Sequence, residues 1–542
     1  MYHRVASALC GGMTTDTPYV DALHRHARRR ITHLTVPGHK GGLAAPAPLT
    51  AALGDALALD VPLLLPGIDR PRAGDPAAAA PLARAEQRAA RAWGAARTWF
   101  LTAGATQGNL AACLVVGDGP APVVVQRSSH TSTFNGLALA GARATYVSPE
   151  VDRRRGIAHA VTAASLEAAL LATPGARAVL LTSPSYHGTT ADLERLVAIA
   201  HRRGAAVVVD ESWGPHLPFS PDVPIDALAA GADLVISSTH KHLGSLGGSA
   251  MLHLGAAAPD WLDEAAVGRA LALVSSTSPS SLLMASLDAA RARAETDGAA
   301  LLSSAVHTLA GLRSAVAEIP GFVPIGEEQI GRHGVAGLDP LRLCVDVTAS
   351  GWTGQALAEF AREAHGVELE LAQWSTIVAC FGLGEPPADR GRRLIAVLEH
   401  AARAPAPRST VAVPPAIRWS ERAVERAPLG VREALWAPRR AVPLAEAAGH
   451  IAAEALVPYP PGIPVALPGE RLRSDVLVQV AAWAQAGGAL RGLADPTGAT
   501  VLVVGDPAHT LAVGRPRDVA KTVREARAAA RRESVDAVAA PA

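Results

Sequence analysis

Residues 205–216 read Ala-Ala-Val-Val-Val-Asp-Glu-Ser-Trp-Gly-Pro-His, an apolar run followed directly by polar residues and glycine. A short, valine-rich run of this kind is typical of a strand that is buried on both faces. The preceding segment, residues 191–203, repeats apolar residues at three- and four-residue steps and predicts an amphipathic helix. A helix followed by a buried strand indicates one unit of an α/β fold.

The same alternation extends on both sides of this unit, from residue 97 to about residue 255. Six further apolar runs lie in this region, at residues 98–101, 123–125, 144–147, 178–181, 234–236 and 250–252. Strands that alternate with helices predict a mostly parallel sheet flanked by helices. We therefore expect an α/β core that contains one principal sheet.

The pattern changes beyond about residue 280, where helices are predicted at residues 282–293 and 299–319. A loop rich in proline and arginine, residues 404–415, indicates a domain boundary, and the proline-dense residues 458–464 predict an extended turn or a linker. We expect four parts: an N-terminal segment (1–35), a major domain (36–290), a small α/β domain (291–405) and a C-terminal α+β domain (406–542).

The composition is that of a globular protein with balanced charge. Of the 542 residues, 49% are hydrophobic and 18% are charged, which excludes a disordered chain. The net charge is +1, so the basic excess of a nucleic-acid binder is missing, and the basic clusters at residues 24–30 and 515–532 are interpreted as solvated faces. No apolar stretch is long enough to span a membrane, and the four cysteines form no CxxC pair. These features predict a soluble, cytoplasmic protein with no disulfide framework and no zinc site.

Polar residues follow five of the predicted strands. In open α/β sheets ligands bind beyond the carboxyl ends of the strands, so we expect these segments to meet around a site. They are residues 102–109 (Thr-Ala-Gly-Ala-Thr-Gln-Gly-Asn), 127–130 (Arg-Ser-Ser-His), 182–188 (Thr-Ser-Pro-Ser-Tyr-His-Gly), 210–216 and 237–241 (Ser-Ser-Thr-His-Lys).

Any chemistry that needs a lysine amine has only three candidates, Lys40, Lys241 and Lys521. Lys241 follows three hydrogen-bonding residues at a strand end and precedes a glycine-rich stretch that lets the backbone approach a bound group. Lys40 lies in an early glycine-rich turn, and Lys521 lies on a basic helix that is typical of a solvated face. The nucleotide-binding and HExxH metal motifs are absent.

The two histidines that flank Lys241 could suggest a metal site. On an extended stretch, His240 and His242 would share one face. No third ligand lies nearby in the sequence, so we predict that no metal is bound.

The remaining residues suit pyridoxal phosphate, which needs an amine for a Schiff base, an acid beside its ring nitrogen, a phosphate cradle and a group that covers the ring. Asp210 ends a valine run, where a carboxylate is costly unless it meets a positive partner such as a pyridinium nitrogen. Gly104, Ala105 and Thr106 precede a helix expected to begin near Gln107, so their N–H groups and hydroxyl could hold an anion.

Seven motifs in order resemble the bacterial ornithine/lysine/arginine decarboxylase family, which are fold-type I enzymes dependent on pyridoxal phosphate. The resemblance extends over most of the chain. The motifs are residues 37–42, 102–109, 183–186, 210–214, 238–241, 276–279 with 285–288, and 458–464 with 468–470.

The resemblance implies that Lys241 forms the Schiff base, that Asp210 pairs with the pyridine nitrogen and that His130 stacks on the ring. It also implies that family members build their active sites across a homodimer, with Thr277 reaching the phosphate of the neighbouring subunit. Trp213 would lie beside the cofactor. The phosphate would be held by Gly104, Ala105, Thr106, Ser238 and His240.

The sequence departs from the family pattern where specificity would be set. Ala105 lacks the family's phosphate hydroxyl, Ser212 replaces an alanine beneath the ring, and Thr131 replaces a common lysine. In the early segment at residues 61–71, Asp69 is the one acid that remains of those in the family pattern. Asp69 and Glu470 are the two acids expected near the substrate. The substrate therefore stays open among lysine, arginine, ornithine and related amino acids.

The expected activity is decarboxylation of an amino acid to its amine. One alternative keeps the cofactor and changes the reaction, to transamination or oxidative deamination of a specialised amino acid. Another is a catalytically silent regulatory homologue, which would typically lack the Schiff-base lysine or the ring-nitrogen acid. Because Lys241 and Asp210 are both present, the sequence favours an enzyme acting on a small molecule.

Overall fold

The computed structural model describes residues 16–29, 31–62, 65–71, 79–406, 424–459, 462–485 and 487–505. Lys521, Cys10 and the basic cluster at residues 515–532 lie outside these ranges. The same holds for residues 407–415 of the predicted boundary loop and for Pro460 and Pro461 of the proline-dense run.

The helices of the described chain are numbered in order. They are α1 (Pro18–Arg28), α2 (Ala47–Leu53), α3 (Pro81–Trp93), α4 (Gly104–Val116), α5 (Thr131–Ala140), α6 (Ala163–Ala172), α7 (Leu193–His201), α8 (Thr239–His242), α9 (Glu264–Val274), α10 (Ser281–Ala317), α11 (Gly354–His365), α12 (Pro387–Arg403), α13 (Val431–Trp436) and α14 (Ser474–Gln485).

The strands are numbered in the same way. They are β1 (Arg97–Leu101), β2 (Val123–Gln126), β3 (Ala144–Val147), β4 (Val151–Asp152), β5 (Ile157–Ala158), β6 (Ala178–Thr182), β7 (Thr189–Ala191), β8 (Ala206–Asp210), β9 (Leu234–Ser237), β10 (Ala250–Leu254), β11 (Val323–Ile325), β12 (Val335–Leu338), β13 (Arg342–Asp346), β14 (Leu371–Ala372), β15 (Thr376–Cys380), β16 (Val424–Arg426), β17 (Arg439–Pro443), β18 (Val457–Tyr459), β19 (Ala489–Arg491) and β20 (Thr500–Val504).

The principal sheet has eight strands in the order β1-β10-β9-β8-β6-β2-β3-β16. All seven predicted apolar runs are strands of this sheet. Its centre is parallel, as predicted, whereas β10 is antiparallel to both of its neighbours and β16 is antiparallel to β3. Strand β10 reverses because only the single turn α8 and a glycine-rich loop connect it to β9, and parallel pairing would need a full crossover.

Helices cover both faces of the principal sheet. The apolar residues of α4, α5 and α9 pack on one face, and those of α6 and α7 pack on the other. Two glycines permit the close packing of the first layer. A Cβ on Gly108 would lie 2.9 Å from Ile236, and a Cβ on Gly136 would lie 2.6 Å from Cys113. Helix α4 is therefore held directly against the sheet.

The two helices predicted at residues 282–293 and 299–319 are one continuous helix, α10, so the prediction of two was wrong. Gly298 lies in the gap between the two predicted helices, and glycine is unfavourable inside a helix. Gly298 instead packs against Phe219, with only 3.0 Å between its would-be Cβ and the Phe219 Cβ. This close packing favours glycine inside the helix, and the predicted boundary at residue 290 falls within α10.

The small domain contains the antiparallel sheet β11-β13-β15-β14, covered by α10, α11 and α12. The pair β12–β7 joins this domain to the major domain. The C-terminal domain has its own core and is fastened to the major domain by a buried ion pair between Arg127 and Glu470. In the described part of the chain, the helices are all too short or too polar to cross a membrane.

Candidate active site

Four segments meet at the carboxyl ends of the parallel strands. Asp210 ends β8, α4 begins three residues after β1, His130 precedes α5 after β2, and Lys241 lies on α8 after β9. The charge of Asp210 acts on both Lys241 and His130, which places the three groups around one space. The structure thus brings together the residues that the sequence assigned to one site.

The Lys241 amine is held in a largely desolvated position. Its Nζ lies 3.6 Å from the centroid of the Trp213 ring. The pKa of Lys241 is lowered to about 8, chiefly by burial; the Asp210 carboxylate opposes this shift and the Arg342 guanidinium adds to it. Roughly one tenth of this amine is therefore neutral, and nucleophilic, at pH 7, far more than for a lysine with an ordinary pKa.

Asp210 is buried and fixed by two donors. The Ser212 N–H donates to Oδ1 at 3.0 Å, and Asn109 Nδ2 donates to Oδ2 at 2.8 Å. The Asn109 amide also lies 3.0 Å from the Ser132 Oγ. Ser132 Oγ in turn lies 2.7 Å from His130 Nδ1. A continuous hydrogen-bond chain therefore joins the acid at the floor of the site to the histidine that faces it.

His130 is the N-cap of α5, because its Nδ1 accepts from the Ser132 N–H at 3.2 Å. This contact leaves Nε2 as the protonated nitrogen of a neutral ring. Burial lowers the pKa of His130, partly opposed by Asp210, and the charge of Lys241 adds to the lowering. A neutral imidazole at this point can lie against an aromatic ring without bringing a second positive charge.

The anion cradle differs from the prediction in one respect. Helix α4 begins at Gly104 and not near Gln107, so Gly104, Ala105 and Thr106 form its first turn. No side chain caps this turn. The Gly104 N–H donates to the Gly248 carbonyl at 2.6 Å, which fixes the helix start against the glycine-rich loop. The uncapped N-terminal turn is a favourable place for an anion.

Other polar groups line the same end of the site. Ser238 is buried with its Oγ 3.3 Å from His240 Nδ1, and the Thr239 hydroxyl is buried with no hydrogen-bond partner among the described residues. Neither Gly247 nor Gly248 has an atom within 4 Å of its would-be Cβ. An orphaned hydroxyl beside this open space is suited to a bound polar group.

The prediction that His240 and His242 share a face was wrong, because the stretch is helical and not extended. His240 Nδ1 lies 2.8 Å from the Ser249 carbonyl, whereas His242 Nδ1 lies 2.9 Å from the Phe381 carbonyl. His242 instead joins a fully buried cluster with His216 and Asp339. Asp339 Oδ1 lies 3.1 Å from His216 Nε2, so the cluster is internally hydrogen-bonded.

The far wall of the site comes from the small domain and the β6–β7 loop. The Arg342 Cζ lies 3.8 Å from the centroid of the Trp213 ring. Tyr186 packs edge-on against Trp213, with 4.8 Å between ring centroids, and its hydroxyl donates to Glu370 at 2.8 Å. Glu370 is exposed, yet its charge acts on Lys241. An acid thus lies at the open side of the site.

Three further predicted site residues, Thr277, Asp69 and Glu470, have the following surroundings. Thr277 is exposed in the loop between α9 and α10. Asp69 lies close to Tyr19, whose pKa it raises together with burial. Glu470 bonds Arg127 and the Leu467 N–H, so both of its oxygens are occupied within the protein. The buried ion pair accounts for Glu470 without a substrate.

Four residues of the site were missed by the sequence analysis: Asn109, Ser132, Arg342 and Glu370. Asn109 and Ser132 lie within or next to segments that were singled out, so their position at a strand end was a usable signal. Arg342 and Glu370 come from the distant small domain. Nothing in the sequence places them beside Lys241, because only tertiary packing does so.

The residues at this site offer what pyridoxal phosphate requires: an amine with a lowered pKa, a fixed carboxylate, a neutral histidine ring and an uncapped helix N-terminus. The fold and this set of groups define the fold-type I class of enzymes that use pyridoxal phosphate. The chain belongs to the Orn/Lys/Arg decarboxylase family. It matches the family's major domain over residues 17–388 and its C-terminal domain over residues 431–488.

Curated relatives agree with this assignment. The arginine decarboxylase of Bacillus subtilis (strain 168) is 31% identical over 487 residues, which cover 89% of this chain and 96% of that protein. The arginine decarboxylase of Bacillus anthracis is 30% identical, covering 90% and 97%. Family and relatives support amino-acid decarboxylation as the activity, and pyridoxal phosphate is the family's cofactor.

Solved structures support the fold. Lysine decarboxylase A from Pseudomonas aeruginosa matches with a TM-score of 0.75 at 21% identity, covering 93% of this chain and 82% of that one. The Francisella novicida lysine decarboxylase LdcF matches with a TM-score of 0.76 at 18% identity, covering 90% and 81%. The prediction of a fold-type I architecture is confirmed.

Proposed function

We propose that this chain decarboxylates a basic amino acid, with arginine as the first candidate, using pyridoxal phosphate bound at Lys241. The observation that carries the proposal is the pairing of a desolvated Lys241 amine with a fixed Asp210 carboxylate in one space. The substrate assignment draws on the relatives named arginine decarboxylase, which match this chain over nearly their whole length.

When bound, pyridoxal phosphate supplies an aldehyde that joins to amines and a ring that withdraws electrons from the attached carbon. Lys241 would carry it, and the first turn of α4 with Ser238, Thr239 and His240 would hold its phosphate. Asp210, oriented by Asn109, would hold a proton at the ring nitrogen. His130 would stack on the ring and limit the access of water to it.

The lowered pKa of Lys241 affects both its nucleophilic attack and its ability to accept a proton. A neutral Nζ can attack a carbonyl carbon, and it can also take up a proton that a substrate ammonium must lose. An amine with an ordinary pKa of 10.5 would be almost fully protonated at neutral pH. Desolvation against Trp213 thus prepares Lys241 for both tasks.

Glu370 supports a basic substrate. Its exposed carboxylate lies at the open side of the site and is positioned by the Tyr186 hydroxyl. A negative charge there attracts a cationic side chain. We expect Glu370→Gln to raise the KM for arginine more than it lowers kcat.

We also propose a homodimer in which Thr277 reaches the cofactor phosphate of the neighbouring subunit. The exposure of Thr277 supports this arrangement, because an exposed residue is free to contact a second subunit. Light scattering of the holoenzyme should give twice the chain mass. Full activity in a monomeric preparation would contradict the proposal.

The test of the function is a panel of amino acids incubated with holoenzyme, with CO2, amine, keto acid and ammonia all quantified. Decarboxylation predicts CO2 and amine in equal amounts, with basic amino acids turned over fastest. Keto acid in place of CO2 would indicate transamination or oxidative deamination. No turnover of any amino acid by holoenzyme would favour a regulatory homologue.

A further inference from the structure

The buried cluster of His216, His242 and Asp339 takes no part in the mechanism described above. His216 lies in the loop that follows β8, His242 follows Lys241 on α8, and Asp339 lies between β12 and β13. All three side chains are fully buried. One nitrogen of each histidine and one oxygen of Asp339 lie within 4.8 Å of one another. The fold thus brings together, from distant parts of the chain, three groups of the kind that bind metal ions.

The hydrogen bonding of His242 leaves one of its ring nitrogens free. Its Nδ1 lies 2.9 Å from the Phe381 carbonyl, so Nδ1 carries the proton and donates. In the neutral ring Nε2 is then an unprotonated nitrogen, with the Cys380 Sγ 3.7 Å away. A backbone carbonyl that fixes the tautomer in this way is a common second contact of a metal-binding histidine.

The other two residues carry buried atoms that lack partners. His216 Nε2 donates to Asp339 Oδ1 at 3.1 Å, and the same oxygen accepts from the Leu341 N–H at 3.0 Å. His216 Nδ1 and Asp339 Oδ2 have no hydrogen-bond partner among the described residues. Buried polar atoms without partners are rare in native proteins and often mark the place of a bound water or ion.

The charge of the cluster favours an ion over a water molecule. In the part of the chain that the structure describes, His216 is the one basic side chain paired with the Asp339 carboxylate. The free atoms are a carboxylate oxygen and two ring nitrogens, which are all acceptors. A water molecule has only two hydrogens to donate, whereas a cation can bind all three atoms and also balance the buried negative charge.

We propose that His216, His242 and Asp339 bind a divalent transition-metal ion, with Zn²⁺ as the first candidate. Imidazole and carboxylate groups are common ligands of Zn²⁺, whereas Mg²⁺ and Ca²⁺ prefer oxygen atoms alone. Metal–ligand bonds of about 2.0–2.2 Å separate the ligand atoms of a tetrahedral site by about 3.3–3.6 Å, so the side chains need to close by no more than about 1.5 Å. Cys380, already beside His242, can supply a fourth ligand.

A metal ion at this place would connect the segments that carry the active site. His242 is adjacent to Lys241, His216 follows Asp210 after one short loop, and Asp339 belongs to the small domain. The ion would therefore hold α8 and this loop against the small domain. The prediction that no metal is bound rested on the lack of a third ligand near α8 in the sequence, and the fold supplies two. The inference does not depend on the identity of the substrate.

The experiment measures the metal content of holoenzyme from cells grown with added Zn²⁺. A chelating resin first removes metal from exposed histidines, such as the pair His365 and His400. Plasma mass spectrometry then quantifies all first-row transition metals. We expect about one ion per chain in the wild-type protein, because a fully buried ion exchanges only when the two domains separate. A wild-type content below about one tenth of an ion per chain would overturn the proposal, whatever the variants show.

Two variants test the position of the ion. Asp339→Asn and His242→Gln each remove one ligand and keep a polar side chain, and we expect each to lower the metal content at least about tenfold. They alter different domains, so one stays informative if the other does not fold. His187→Gln is the matched control, because His187 is also buried and lies 3.1 Å from Gln373 of the small domain, outside the cluster. It should keep the wild-type content. Equal metal content in all variants, or an equal loss in His187→Gln, would overturn the proposal.

Discussion

At the scale of single residues, the chain from Asp210 through Asn109 and Ser132 to His130 couples the two faces of the site. The Asn109 amide donates one hydrogen to Asp210 and directs the other at Ser132, so its orientation is fixed from both sides. Asp210 and His130 therefore keep a constant separation. The acid and the histidine would thus keep fixed positions toward a bound cofactor.

The first prediction concerns Asn109. Asn109→Ala removes a donor to a buried carboxylate, so Asp210 loses orientation, and kcat should fall about 10- to 100-fold, the range expected for one hydrogen bond to a charged group. Ser132→Ala breaks only the link to His130 and should lower kcat less. The measurement is kcat together with the absorbance band of the bound cofactor. Unchanged kcat and an unchanged band in Asn109→Ala would contradict the positioning role.

The second prediction follows from the pKa of Lys241, which is lowered from 10.5 to about 8 in the cofactor-free protein. The neutral amine is the reactive form, and its fraction rises as the pH passes upward through the pKa. The rate of covalent attachment of pyridoxal phosphate to the apoprotein should therefore rise with pH and level off above about 8. Stopped-flow absorbance measures this rate. A rise that continues beyond pH 10 would show that Lys241 is not desolvated.

How far the sequence predicts the site differs from residue to residue. Lys241 could be identified from the sequence because the chain has only three lysines. Asp210 could be identified because it directly follows a valine run. Arg342 could not be found, since it is one arginine among many and reaches the site through the fold of a distant domain. Glu470 forms a buried ion pair with Arg127, so a carboxylate in a motif can have a structural partner that the sequence does not reveal.

At the scale of elements, α4 and α5 carry Asn109, the phosphate-binding turn and His130. Their positions depend on close packing at Gly108 and Gly136. The third prediction is that Gly136→Ala lowers the free energy of unfolding by about 1–3 kcal/mol, because the added Cβ would overlap Cys113. Chemical denaturation measures this change.

Gly268→Ala is the control for this prediction. Gly268 lies within α9, and its would-be Cβ meets nothing within 4 Å. Alanine there should leave stability unchanged or raise it by up to about 1 kcal/mol through helix propensity. If the two variants behaved alike, backbone propensity and not packing would decide the effect at Gly136.

Elements were predictable where local pattern decides them. All seven core strands follow from apolar runs bounded by polar residues, with ends that differ by one or two positions. The direction of β10 and the continuity of α10 could not be predicted from the local sequence pattern. The first depends on a short connection between β9 and β10, and the second depends on Phe219, which packs against Gly298 from elsewhere in the chain.

At the scale of the whole molecule, the Arg127–Glu470 pair joins the C-terminal domain to the strand end that precedes His130. The fourth prediction is that Glu470→Gln lowers the free energy of unfolding by about 3–5 kcal/mol, because Arg127 would keep a buried charge without its partner. Arginine affinity in the folded variant should change little. A selective loss of arginine affinity with unchanged stability would restore Glu470 as a substrate residue.

The exposed pair Arg473–Asp475, in the same domain, is the matched control. Both side chains are well exposed, so Asp475→Asn should change stability by no more than about 1 kcal/mol. A comparison of the two variants separates the effect of burial from that of charge removal.

The proposed activity depends on Lys241 as the residue that carries pyridoxal phosphate. Borohydride reduction of the reconstituted protein, followed by peptide mass spectrometry, traps the cofactor on the lysine to which it is attached. We expect pyridoxyl label on Lys241 alone, and none in Lys241→Ala. Label on Lys40 or Lys521, or no label on any lysine of the wild-type protein, would contradict it.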